Sequence, residues 1–149
     1  MTKLNIVLAA LLGLATFSAQ ADVANAEKLA HKYSSIAKSV NPDFTGPSVA
    51  DGKFFFNRKI KLATGKEMAC ASCHTSNPAD AGKHVVTGKP ISPLSPAVNF
   101  KRFSDIDKVE TQFTQHCNDI IGSDCTAAEK ANYITYLLTE KTPTPTVKK

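Results

Sequence analysis

The sequence predicts an all-α domain of about four helices arranged around one covalently held group. Apolar residues recur at steps of three and four along three separate segments, the spacing that paints one face of a helix. Two of those segments, and one more that begins at Ser48, open on Ser or Thr followed three residues later by an acidic residue, a helix-start signature. Between the second and third of the four lies Cys70-Ala71-Ser72-Cys73-His74, two thiols three positions apart with a histidine directly after the second.

The first 21 residues stand apart. Met1-Thr2-Lys3 gives a short basic start, Leu4 to Phe17 a mostly apolar run, and Ala19-Gln20-Ala21 a small-x-small cleavage site, the layout of a secretory signal peptide. The apolar run is short for a bilayer crossing, and no later stretch approaches about twenty apolar residues. The expected product begins at Asp22, is exported to the periplasm and does not insert in the membrane. Residues 22–140 are then one domain, and 141–149, with Thr142-Pro143-Thr144-Pro145 and closing lysines, are expected to be a frayed, disordered tail.

The first helix of the domain is expected over 23–40, with Ala26, Leu29, Tyr33, Ile36 and Val40 on its apolar face. Two helical steps turn by about 200°, so His31 falls on the opposite, polar face. Pro42 ends this helix, because the residue before proline avoids the helical region. A second helix opens at Ser48, paired with Asp51, and carries Gly52 and Phe54-Phe55-Phe56. Residues 60–69 lead into the motif.

Thr75 to Asn99 reads as a long loop, since Pro78, Pro90, Pro93 and Pro96 forbid a continuous helix. Such a loop suits a functional edge, and the Pro93 carbonyl is the expected acceptor for the Nδ1 proton of His74. The third helix is expected after Ser104, capped with Asp107, on the stripe Ile106, Val109, Phe113, His116 and Ile120, and Gly122 ends it. Thr126 and Glu129 open the fourth, with Ala127, Ala131, Ile134 and Leu138 facing inward.

Cys70-Ala71-Ser72-Cys73-His74 is the attachment signature of c-type haem: each thiol adds across a porphyrin vinyl as a thioether, and His74 binds the iron. A thioredoxin-like pair would follow a strand in a βαβ pattern, and a zinc site would need a second ligand pair; neither context is present. One motif means one haem c. Cys117 and Cys125 suit an oxidising compartment and read first as a structural disulfide, with a redox-active pair as the alternative.

The opposite axial position decides what the haem does. Met1 leaves with the signal and Met68 sits beside Cys70, so ordinary methionine ligation is close to excluded. Of the remaining histidines, His84 lies in the loop and only His116 stands on an inward stripe, which makes it the candidate second metal ligand; Asn99, Asn118, a lysine or an open site are the alternatives. The formal charge of +5 suits an acidic redox partner and is not the dense basic patch that nucleic acid requires. His84 is the one obvious group to handle protons, so the expectation is an electron carrier or haem-binding protein and not an enzyme, with gas processing as the alternative.

Gly52 and Phe56, with Ile134-Thr135-Tyr136-Leu137, resemble the crossing helices of class I cytochromes c. Gly88-Lys89, Ile91, Pro93-Leu94, Pro96, Arg102-Phe103-Ser104-Asp105, Val109-Glu110, Cys117-Asn118, Ile121-Gly122, Cys125-Thr126 and Glu129-Lys130 carry a closer likeness. Over these the chain is similar to the sphaeroides haem protein family of small c-type cytochromes. That resemblance implies a class I-like fold, oxygen or nitric oxide as gas ligands, and a di-haem cytochrome c and a membrane b-type cytochrome as electron partners. It also implies an asparagine as the distal ligand immediately before the first disulfide cysteine, where this chain has His116. Asparagine is a weak ligand, whereas neutral imidazole binds iron in both oxidation states. The expectation is therefore a His/His-ligated haem for electron transfer, with gas binding through a displaceable distal ligand as the alternative.

Overall fold

The computed structural model describes residues 2–146, with side chains from Gln20 onward. Five helices and two short ribbons follow in the order α1 (Thr2–Val40), α2 (Val49–Asn57), β1 (Ile60–Lys61), β2 (Glu67–Met68), α3 (Cys70–His74), β3 (Gly82–Lys83), β4 (Pro90–Ile91), α4 (Ile106–Ile121) and α5 (Ala127–Thr139). The side chains of the expected signal peptide before Gln20 lie outside the described residues, as do residues 147–149. Among the described residues, no helix is long and apolar enough to cross a membrane.

The core forms where α5 packs between α1 and α2. Ala26, Leu29, Ala30, Tyr33 and Ala37 of α1 are buried, whereas Ile36 and Val40 are exposed. The inward face thus follows the true 3.6-residue period, which drifts away from 36 and 40 by the last turns. On α5, Ala131, Ile134, Tyr136 and Leu137 are all buried, because this helix has neighbours on two sides. Phe56 of α2 completes the contact, with its ring 5.6 Å from that of Tyr136.

The helix ends follow their caps. Ser48 accepts from the Asp51 N–H, and Thr126 and Glu129 satisfy one another's main-chain donors in a full capping box. Gly122 stops α4 at φ 85°, a left-handed position that suits glycine. The start of α4 differs by one residue from the expected Ser104. Asp105 accepts from Lys108 N at 3.0 Å, while the Ser104 hydroxyl is engaged by the Lys101 carbonyl one turn back.

The expected loops contain structure. Residues 60–69 fold as an antiparallel hairpin pairing Ile60 with Met68, and β3 pairs with β4 through Gly82 and Ile91. The tail expected to fray is tied down as far as Thr144. Asp80 accepts from Thr144 N at 2.6 Å and from its hydroxyl at 2.7 Å, and the Asn77 amide donates to the Thr142 carbonyl at 3.1 Å.

Candidate functional site

Cys70-Ala71-Ser72-Cys73-His74 forms a single-turn helix whose first turn is closed by Ser72: its N–H donates to the Ala69 carbonyl and its hydroxyl accepts from Ala69 N, each at 3.0 Å. One turn of helix brings both thiols to the same side and carries His74 past them. Thr75 then leaves the helix at φ 61°, a backbone region that a β-branched residue enters only when its surroundings hold it. Its hydroxyl bridges to Asn77 N and O, and the Tyr136 hydroxyl donates to the Ser76 carbonyl at 3.1 Å. The segment after His74 is thereby fastened to α5.

Behind the motif runs β3. Gly82 lies against the Cys73 carbonyl, and a Cβ there would overlap it and stand 3.0 Å from the Cα of His74. Only glycine lets this strand back the motif so closely. Nothing local in the sequence marks Gly82 for that role.

In front of the motif is a cavity of about 320 Å³, walled by Cys70, Cys73 and His74 on one side and by α4 on another. Its lining is mostly apolar, with Phe55, Val109, Phe113, Ile120, Tyr133 and Leu137 contributing. His116 lines this space from α4, as its place on the stripe predicts, although the residue as a whole is exposed. His84 reaches the rim of the same cavity, while His31 is exposed on α1 and takes no part.

The electrostatics favour neutral imidazoles. Burial, aided by the charges of Arg102 and His116, lowers the His74 pKa to about 4. Burial also lowers His116, followed by Arg102, with Asp119 and the Gln112 main chain acting the other way. An unprotonated ring nitrogen is what an iron ligand must offer. Burial pushes the Cys70 thiol up to about 11 and keeps it protonated.

His84 is held differently. Its Nδ1 accepts from Val86 N at 3.2 Å and from Thr87 N at 3.1 Å, which places the ring proton on Nε2. Ligation through Nε2 would move that proton to Nδ1, against two main-chain donors. That arrangement disfavours His84 as an Nε2 ligand. The Pro93 carbonyl is also otherwise engaged than expected. It accepts from the Asn99 side chain at 2.9 Å, and among the described residues no hydrogen bond joins it to His74.

Cys117, next to His116, is bonded to Cys125, with 5.5 Å between their Cα atoms. The bridge ties the last turns of α4 to the start of α5, and Phe55, Phe113 and Tyr133 pack around it. Two free thiols beside an apolar cavity that His74 and His116 also line are a donor set suited to a covalently attached haem. Among the described residues, no group of three or more His, Cys, Asp or Glu side chains converges to hold an ion by itself.

Comparison with known proteins agrees with this chemistry. A family model described as a domain of unknown function (DUF1924) matches residues 42–137. Cytochrome c'' of Methylophilus methylotrophus is 61% identical over 142 residues, covering 95% of this chain and 99% of that protein. The chain belongs to the SHP-like family of c-type cytochromes. The cytochrome c-type protein SHP of Cereibacter sphaeroides, which gives this family its name, is 41% identical over 69 residues, 46% of this chain and 53% of that protein. The crystal structure of oxidized cytochrome c'' superposes with a TM-score of 0.80 at 66% identity, covering 83% of this chain and all of that one. The structure of oxidized SHP, an oxygen-binding cytochrome c, superposes at 0.63 with 30% identity, covering 75% and 94%. As an SHP-like cytochrome, the chain has an all-α, class I-like fold and carries one covalently bound haem c, for which Cys70, Cys73 and His74 are the attachment residues its own motif offers.

Proposed function

We propose that this SHP-like cytochrome is a periplasmic electron carrier whose haem iron takes His74 on one side and His116 on the other. The observation that carries the reading is the pair of imidazoles lining one apolar cavity, each biased toward its neutral form. Bound haem supplies the one-electron couple. The chain's residues do the rest: Cys70 and Cys73 fix the ring in place, His74 and His116 select the potential, and the apolar lining limits water. Two imidazoles with no methionine set that potential below the methionine-ligated range. The redox partner is another protein, and the family resemblance points to a di-haem cytochrome c and a membrane b-type cytochrome.

A low-temperature electron paramagnetic resonance spectrum of the ferric protein beside His116→Ala tests the ligation. The wild type is expected to be low-spin with two imidazoles, and the variant to lose that signature. A spectrum unchanged by the substitution overturns His116 as ligand.

A second reading is gas binding at a displaceable distal position. Two relatives bear on it. SHP is an oxygen-binding cytochrome c, and the solution structure of cytochrome c'', at a TM-score of 0.77, addresses haem-ligand detachment. Carbon monoxide or nitric oxide binding rapidly to reduced wild type, little changed in His116→Ala, supports gas binding. Binding only after His116 is removed supports the closed electron carrier.

A further inference from the structure

Asp22 lies in α1 at the expected cleavage point and is 2% exposed. Its Oδ1 accepts from Phe103 N at 2.8 Å, and three residues on, the Asn25 amide donates to the Phe103 carbonyl at 3.1 Å. The two side chains thus grip one main-chain unit from both ends. Phe103 is 1% exposed, walls the haem cavity, and leads through Asp105 into the helix of His116. The other carboxylate oxygen, Oδ2, is buried with no hydrogen-bond partner. A buried, unsatisfied carboxylate oxygen is costly, and burial accordingly raises the Asp22 pKa.

We propose that the missing partner is the chain's own new amino terminus, so that signal removal completes an anchor for the cavity wall. The inference rests on the export reading. Hydrolysis of the Ala21–Asp22 bond consumes one water and leaves a carboxylate on Ala21 and an ammonium on Asp22. That ammonium arises on the residue whose second carboxylate oxygen, Oδ2, lacks a donor. Cleavage also frees the first four N–H groups of the shortened helix, for which a carboxylate in the first turn is the favourable neighbour. Arg102 is the other charged group acting on this carboxylate, and its main-chain N–H also stabilises the charge without forming a hydrogen bond to Oδ2. Attachment at Asp22 and Asn25 then joins the mature start to the segment that positions α4.

The test uses exported, haem-loaded protein. Intact mass and N-terminal sequencing are expected to place the start at Asp22; a start elsewhere overturns the anchor. Nuclear magnetic resonance titration should find the α-amino group above its usual range of about 7.7–8.0, and an unshifted value overturns the pairing. One Ser inserted between Ala21 and Asp22 displaces the ammonium and should lower Tm by about 3–6 °C, the effect of a lost cap in a domain of this size. In Asp22→Asn the same insertion should cost little; equal losses in both backgrounds overturn the proposal. The ferric spectrum of these samples reads His74 and His116 separately, so failure of the anchor and failure of the ligation are told apart.

Discussion

Gly52 of α2 sits with its bare Cα against the main-chain carbonyl of Asn132 in α5, and the Asn132 side chain accepts from Ser48 N at 2.8 Å. The two helices therefore meet backbone to backbone at one point and are pinned by a hydrogen bond one turn away. This crossing sets the position of Phe56 in the core and of Phe55, which lines the haem cavity.

Gly52→Ala would place a Cβ inside the Asn132 carbonyl and 2.8 Å from the Cβ of Tyr136. Neither atom is the end of a flexible chain, so the helices must separate. Overpacking of this kind costs about 1–3 kcal/mol, and denaturant unfolding of the holoprotein is expected to show a loss in that range. An unchanged midpoint would mean the crossing yields without cost.

Removing the bridge by Cys117→Ser together with Cys125→Ser opens a loop with a sequence separation of 8. The chain-entropy estimate for so short a loop is about 2–3 kcal/mol. Stability should fall by about that amount while the visible spectrum of the haem stays the same. A shifted potential with unchanged stability would instead assign the pair a redox role.

His84→Ala should leave the ferric ligand signature intact, since the Val86 and Thr87 amides already occupy its Nδ1. The turn loses those two acceptor contacts, and faster amide exchange at Val86 and Thr87 is the expected local effect. Loss of the low-spin signature would make His84 the ligand in place of His116.

Glu110 accepts from Lys32 at 2.7 Å and from the Tyr33 hydroxyl at 2.9 Å, and the Lys32 bond, ahead of the opposing effect of burial, holds its pKa below the usual value. A carboxylate whose folded pKa is depressed contributes stability above its unfolded pKa and loses it as pH falls through the folded value. With 53% of the Lys32 and 28% of the Glu110 side chain exposed, the contribution is below about 1 kcal/mol. Glu110→Gln should lower stability slightly at neutral pH, and the difference from wild type should vanish in acid. A difference that persists at low pH would point to packing and not charge.

Helix α5 and the end of α4 were legible because their signals are local: Thr126 with Glu129, and Gly122, each act within one turn. The haem motif was legible for the same reason. Two-residue strands carry no alternation to detect, so both ribbons read as loop. Gly82 against Cys73, Asp80 against Thr144 and Lys130 against Asp124 join residues far apart or hidden within polar stretches. Lys130 in particular sits on the inward side of α5, its ammonium 5.4 Å from the Tyr33 ring, where a charge would not be sought. Polar partners decided these positions, and hydrophobic periodicity does not record partners.

The bridge at Cys117 fastens the residue next to His116, so α4 does not depend on whatever side chain occupies position 116. The cavity wall that α4 forms thus has a covalent fixed point one residue from His116. A substitution at position 116 can then alter the chemistry of that wall while the helix carrying it stays fastened to α5.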